Sequence, residues 1–318
     1  MWFEPLTEQQ ATLNVTMSSN PRNQTTILER LIERFIRVTG ILVILFLALI
    51  FLFLLREGGA TFFEVTLRNL LQTRWYPNEG HFGLLPLILG SLMVTLGAAV
   101  VSLPLGLLTA VFIAEVAPRW VREILKPFIE VLAGIPSVVL GFLGMLVVSP
   151  LIREYMGAPT GLTALSGSLM LGYMALPTII SVAEDALDAV PKSYRDAALA
   201  LGATHWQTIW RVTVPAARSG ILTAMMLGVG RAIGETMAVM MVTGNAARMP
   251  LTLGSFLMPV RTMTATIAAE MGEVAQGGAH YHVLFAIGLV LFFVTFIINL
   301  IAAWTIFRQG KRYGRLLS

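Results

Sequence analysis

Long runs without a charged side chain divide this chain, and they restrict its fold more than any other feature. About 20 mostly apolar residues, rising about 1.5 Å each in a helix, cross a hydrocarbon layer about 30 Å thick. Six runs meet that length: residues 38–55, 83–114, 131–152, about 162–183, 219–242 and 283–307, the fifth carrying Arg231 and Glu235. Run 83–114 is too long for one upright span, so an interfacial start near Pro86 and a kink near Pro104 are expected. Gly157, Pro159 and Gly161 read as a loop before the fourth span. Charged residues make up 13% of the 318, about half the share of a soluble domain. The expected fold class is therefore an all-α integral membrane protein with six transmembrane helices.

Basic residues set the sidedness, because Lys and Arg are retained on the cytoplasmic face. Fifteen of the 22 fall in segments 1–37, 116–127, 189–218 and 308–318; six fall in the opposite set, and Arg231 lies within a span. Both termini are thus expected in the cytoplasm. The same bias accounts for the pI near 9.7, so nucleic acid is not an expected partner, whereas the lipid bilayer is. The polar start of the chain lacks a cleavage site after its first apolar run, which argues against a removable signal peptide. Leu28, Leu31, Ile32, Phe35 and Ile36 then recur at helical spacing between charged residues. That pattern predicts, within a tail of residues 1–37, an amphipathic helix lying on the inner membrane surface. The Asn-x-Thr triplets at Asn14 and Asn23 fall on the cytoplasmic side and are read as chance.

Reactive groups are scarce. The absence of cysteine removes thiol nucleophiles and Cys-ligated metals. There is no Walker A loop and no His-Glu-x-x-His, and the four histidines, His81, His205, His280 and His282, lie in or beside loops. No catalytic residue, metal site or cofactor is expected, and uphill transport would have to draw its energy from elsewhere.

Residues 189–217 form the longest interior cytoplasmic segment. Asp196 to Ala200 are helix formers, Gly202 suits a helix C-cap, and a second helix from His205 is expected to stop at Pro215. Ala197, Ala198 and Gly202 leave a flat surface for a partner backbone, and Tyr194, Trp206 and Trp210 offer aromatic anchors. Asp196-Ala-Ala, three residues, Gly202, nine residues, Val212-x-Val214-Pro215 resembles the EAA loop of bacterial ABC importer permeases. It departs from that pattern by Asp for Glu at 196 and Val at 212 and 214. In that family the loop docks into a groove of a separate ATPase subunit.

Arg231 and Glu235 each cost roughly 2.5–3.5 kcal/mol inside a membrane, and an ionisable residue there is by default a functional hypothesis. At four residues apart they are expected to share one helix face and partly neutralise each other. The Arg fork matches phosphate or carboxylate oxygens; the alternative is an interhelical salt bridge that fixes packing. Gly230 and Gly234 are spaced to let another span or a partner subunit approach. Gly230-Arg-Ala-Ile-Gly-Glu-Thr-Met-Ala-Val239 resembles the G-R-A-x-G-E-T signature of phosphate importer permeases. Met237-Ala-Val, Gly244-Asn245, the stretch Phe82 to Ser91 and the stretch Glu130 to Gly141 point to the PstC type, with Leu140 where an aromatic is more usual.

The resemblance, which covers about residue 75 onward, implies a MetI-like type I permease domain over residues 38–307, with a basic cytoplasmic tail at 308–318. It implies an inner-membrane subunit that takes up inorganic phosphate by alternating access. Its partners would be a PstA-like permease, a PstB-like ATPase dimer and a PstS-like periplasmic phosphate-binding protein. Arg231 would meet the anion, Glu235 would hold its guanidinium, Thr236 and Ser137 would offer hydroxyls, and Asp196 to Pro215 would couple to the ATPase. Two alternatives stand: a permease for sulfate or molybdate, and a membrane sensor that uses the loop without moving solute.

Overall fold

The computed structural model describes residues 27–314. The tail before residue 27, with Asn14 and Asn23, and the last residues of the basic tail, 315–318, lie outside the described residues. The first helix, α1 (Ile27–Glu64), has 38 residues and a length of about 57 Å. The expected surface helix is not a separate element: its residues form the first turns of α1. No proline interrupts the backbone ladder there, so the amphipathic stretch and the first span belong to one continuous helix.

Residues from 54 onward form a second compact unit. After a short helical turn, Leu67–Leu70, a two-stranded hairpin pairs Trp75 with Phe82 and Tyr76 with His81. Gly80 closes it at φ +75°, a conformation that costs glycine little. Trp75 is buried in a cluster with Phe82, Leu87, Val283 and Leu284, which fixes the hairpin to the bundle. Helix α2 (Leu85–Val111) starts with Pro86 in its first turn, where the missing N–H is harmless, and runs through Pro104 into a π turn, Phe112–Val116.

The third span begins later than expected. Residues 131–134 belong to α3 (Arg119–Gly134), an amphipathic helix with no buried residue, and the span proper is α4 (Ser137–Met156). Pro136 explains the break: its ring drives Ile135 out of the helical region, to φ −67° and ψ 128°.

Helix α5 (Ala164–Asp188) is the centre of the bundle, with 61% of its apolar window buried. The side chain of Thr163 caps its start by accepting from the Ser166 N–H. Lipid tails are as apolar as leucine, so close packing must replace the hydrophobic effect between spans. Small residues do this from both helices of the α2–α5 contact. Gly172 lies against the Ala98 carbonyl and Val101 of α2, and a Cβ on Gly106 would come within 2.6 Å of the Ile179 side chain.

Beyond α5 come α6 (Lys192–Ala200), α7 (His205–Ala216) and α8 (Arg218–Gly234). Helix α7 ends close to Pro215, as expected. The helix contains a π turn at Ile209–Thr213 and ends at Ala216, one residue beyond the proline, and the chain bends by 71° at Ala217. Helix α8 packs on α5 through Gly228, which faces Ile179 and the Ala175 carbonyl. The fifth span does not continue to residue 242: α8 ends at Gly234, and a separate helix, α9 (Met237–Val242), follows. Residues 243–278 then fold back on the bundle. Gly244 bridges Val260, and the first half of α10 (Met263–Glu270) is buried before α11 (Ala279–Gly314) leaves as the last span. Five described helices are long and apolar enough to cross a membrane, six with the bent α7–α8 pair.

Candidate functional site

The break after Gly234 decides where the two charges of the fifth span go. Glu235 has extended backbone angles, φ −69° and ψ 133°, so it is not one helical turn above Arg231. The expected pair does not form: among the described residues the two make no ion pair. Arg231 Nη1 instead donates to Thr178 Oγ1 on α5 at 3.1 Å, and the residue is exposed in the isolated chain. Glu235 serves the break itself. Its Oε1 accepts from the Ala238 N–H at 3.4 Å, and its backbone carbonyl accepts from Thr264 Oγ1 of α10 at 2.9 Å. Thr236 Oγ1 donates to the Gly234 carbonyl at 3.3 Å within the same turn.

A second break mirrors the first. Ile135 adopts nearly the angles of Glu235, and Ser137, half-buried, begins α4 immediately after Pro136. The two new helices meet: a Cβ on Gly141 would lie 2.8 Å from the Ala238 Cα. Ser137 and Thr236 thus stand at the starts of two half-helices packed on one another. A Cβ on Gly230 or Gly234 would meet nothing within 4 Å among the described residues, so no other described span takes the contact expected of them; Gly228 takes it instead.

At the end of the bundle that carries residues 189–217, the cap of α6 is well formed. Gly202 sits at φ +83°, its N–H donates to the Leu199 carbonyl at 2.9 Å, and the Ala203 N–H reaches the Ala198 carbonyl at 3.1 Å, a Schellman motif. Thr204 and Gln207 form a reciprocal capping box for α7. Asp196 and Ala197 are exposed, whereas Ala198 packs inward. Tyr194 and Trp206 are exposed, but Trp210 leans on the core cluster around Ile209 and packs edge to face with Trp206. Two of the three expected anchors therefore remain available.

Four positions that make contacts around these elements escape a reading by motif. Thr178 and Thr264 look like ordinary span hydroxyls in sequence. Glu115 and Glu184 sit at span ends, where carboxylates are common. Glu184, 2% exposed, receives Arg122 at 2.7 Å and Lys126 at 3.1 Å, and Asp188 also pairs with Arg122. The hydrogen bond to Asp188 is the main influence raising the Arg122 pKa, and that to Glu184 raises the Lys126 pKa above its ordinary 10.5. At the other end, Glu270 binds Arg261 at 2.7 Å, His280 at 2.8 Å and the Trp75 indole N–H at 3.1 Å, on the wall of a cavity of about 700 Å³. His282 faces Glu64 and Glu57, so the two histidines serve different carboxylates.

Comparison with known proteins bears on both ends. The family described as "Binding-protein-dependent transport system inner membrane component" matches residues 102–312. The "Probable ABC transporter permease protein YqgH" of Bacillus subtilis is 42% identical over 73% of this chain and 75% of its own. The phosphate transport system permease protein PstC of Pasteurella multocida is 32% identical over 91% of this chain and 95% of its own. A solved bacterial ABC transporter involved in import of the polysaccharide alginate superposes with a TM-score of 0.54 at 17% identity, over 88% of this chain and 99% of its own, a likeness of fold.

Proposed function

The chain belongs to the family of binding-protein-dependent transport inner membrane components, and from that premise we propose that it is the PstC-type permease of an ATP-driven importer of inorganic phosphate. The observation that carries the solute is similarity to a PstC phosphate permease over nine-tenths of the chain. An arginine in a span, held by one neutral hydroxyl, supports it chemically. A guanidinium that keeps most of its donors can exchange water for the oxygens of an oxyanion.

In this reading Arg231 meets the anion and Thr178 orients its fork. Glu235 does not hold the guanidinium; it stabilises the turn that separates α8 from α9. Ser137 and Thr236, at the starts of the two half-helices, offer further hydroxyls. Asp196, Ala197, Gly202 and the helix ending close to Pro215 present the docking surface for an ATP-binding subunit dimer, with Tyr194 and Trp206 as its anchors. A homologous PstA-like permease covers the open face at Gly230 and Gly234, and a periplasmic phosphate-binding protein delivers the anion. Both termini lie in the cytoplasm by the charge bias, which makes the 189–217 end cytoplasmic. ATP binding elsewhere shifts the permease pair between inward-open and outward-open states, and the chain carries no ATPase motif of its own.

The test is reconstitution of the four-component complex. Phosphate-loaded binding protein is expected to stimulate ATP hydrolysis; equal stimulation by a sulfate-loaded binding protein would contradict phosphate as the solute.

A further inference from the structure

We propose that Arg195 is the positioning residue that joins the docking helix α6 to the ends of α2 and α5, so that these three elements move as one body when the ATPase closes. The proposal rests on the permease reading and adds the route by which the docking loop reaches the spans.

The geometry is that of a joint. Arg195 Nε lies 3.1 and 3.3 Å from the two carboxylate oxygens of Glu115, and its Nη2 is 2.5 Å from Oε1. Two further bonds reach backbone carbonyls: Nη1 donates to Val190 at 2.8 Å and Nη2 to Leu187 at 2.9 Å. One side chain therefore ties three places. Glu115 lies in the π turn that ends α2, Leu187 is in the last turn of α5, and Arg195 itself is on α6. The Glu115 side chain is 6% exposed and that of Arg195 21%, so the pair works largely out of water, where its geometry is hard to exchange for hydration.

Lysine could not do this. A point charge satisfies one carboxylate but cannot present a fork to Glu115 while also reaching the Leu187 carbonyl of α5 and the Val190 carbonyl just beyond it. One turn before Leu187, Glu184 receives Arg122 and Lys126 from α3. The end of α5 is thereby braced from both sides, by α6 through Arg195 and by α3 through Glu184. A displacement of α6 has no slack to absorb it before it reaches α2 and α5, and α5 carries Thr178, the partner of Arg231.

The experiment uses the assembled complex with Arg195→Met and Glu115→Gln. Copurification of the ATPase is expected to stay at wild-type level, because the exposed docking surface is untouched. Stimulation of ATP hydrolysis by the loaded binding protein is expected to fall about tenfold, the size of an ordinary coupling free energy. The double variant should be no worse than Arg195→Met, since both act through one joint, and Arg195→Lys should fall between. Unchanged stimulation, or copurification lost in step with it, would overturn the proposal.

A second readout does not depend on the solute. The chain has no cysteine, so Val116→Cys and Ser193→Cys accept the only two spin labels on it. In the otherwise native chain their separation is expected to stay within about 2 Å between nucleotide-free and ATP-bound states, the scale of small helix shifts. With Arg195→Met it should change on ATP binding. Identical behaviour of the two proteins would refute the joint, whereas failure of phosphate-loaded protein to stimulate the native complex would refute only the choice of solute.

Discussion

Arg195 and Arg231 are the same residue in opposite circumstances. Arg195 meets both oxygens of a buried carboxylate and two backbone carbonyls, whereas Arg231 donates to a single threonine hydroxyl. A guanidinium with four of its five N–H groups engaged holds elements together; on the proposed reading the sparsely engaged one, in a span where it costs roughly 2.5–3.5 kcal/mol, is kept for the anion. On the two proposals made above, the difference separates transmission from transport within one chain.

Substitutions should separate the two roles. The largest effect is expected from Arg231→Gln, which should lower phosphate uptake by at least about 30-fold, equivalent to the roughly 2 kcal/mol lower bound for losing a charged hydrogen-bonding partner. Assembly should be unaffected, and uptake of radiolabelled phosphate beside copurification reads both. Next comes Gly202→Asp. Space around Gly202 is open, so the cost lies in the left-handed φ of +83° and in a new charge on the docking surface. ATPase recovery should fall about tenfold, near the 1.4 kcal/mol expected of a lost cap with strained backbone; undiminished recovery would remove the loop from docking.

Thr178→Val should be milder. It removes one hydrogen bond to a charged group, worth about 1.5 kcal/mol, so the concentration for half-maximal uptake should rise roughly tenfold with the maximal rate little changed. A collapse of the maximal rate would mean that Thr178 supports the bundle and not the fork.

The smallest effect concerns pH. The Arg122 and Lys126 pKa values are raised by their carboxylate partners. A base whose folded pKa is raised contributes fully below its unfolded value and loses that contribution as pH rises through the folded one. For Lys126 the loss therefore begins only above 10.5. Thermal stability of the purified complex should show no loss from this pair between about pH 7 and pH 9; a decline that Lys126→Met abolishes would contradict it.

Much of this was legible in sequence where one residue type dictates backbone geometry. Charge-free runs located the spans, and Gly202 announced its cap because few other residues accept a positive φ. Pro136 carried a signal that was present but underweighted: the residue before proline leaves the helical region, and span three starts after it. Pro215 marks the end of α7 to within one residue, since the helix closes at Ala216. The break after Gly234 had no proline to mark it. It depends on Thr264 holding the Glu235 carbonyl from 29 residues away, so the four-residue spacing of Arg231 and Glu235 suggested a pair that the fold does not make. Arg195 with Glu115, 80 residues apart, lay beyond any periodicity for the same reason. Local rules read local geometry, and the functional chemistry here is mostly between distant segments.

The most direct test of the contrast is phosphate uptake into vesicles holding the complete complex, with ATP hydrolysis followed in the same sample, for the native chain and Arg231→Gln. The account predicts that the variant still assembles and hydrolyses ATP but no longer accumulates phosphate. Undiminished phosphate accumulation by Arg231→Gln would contradict it.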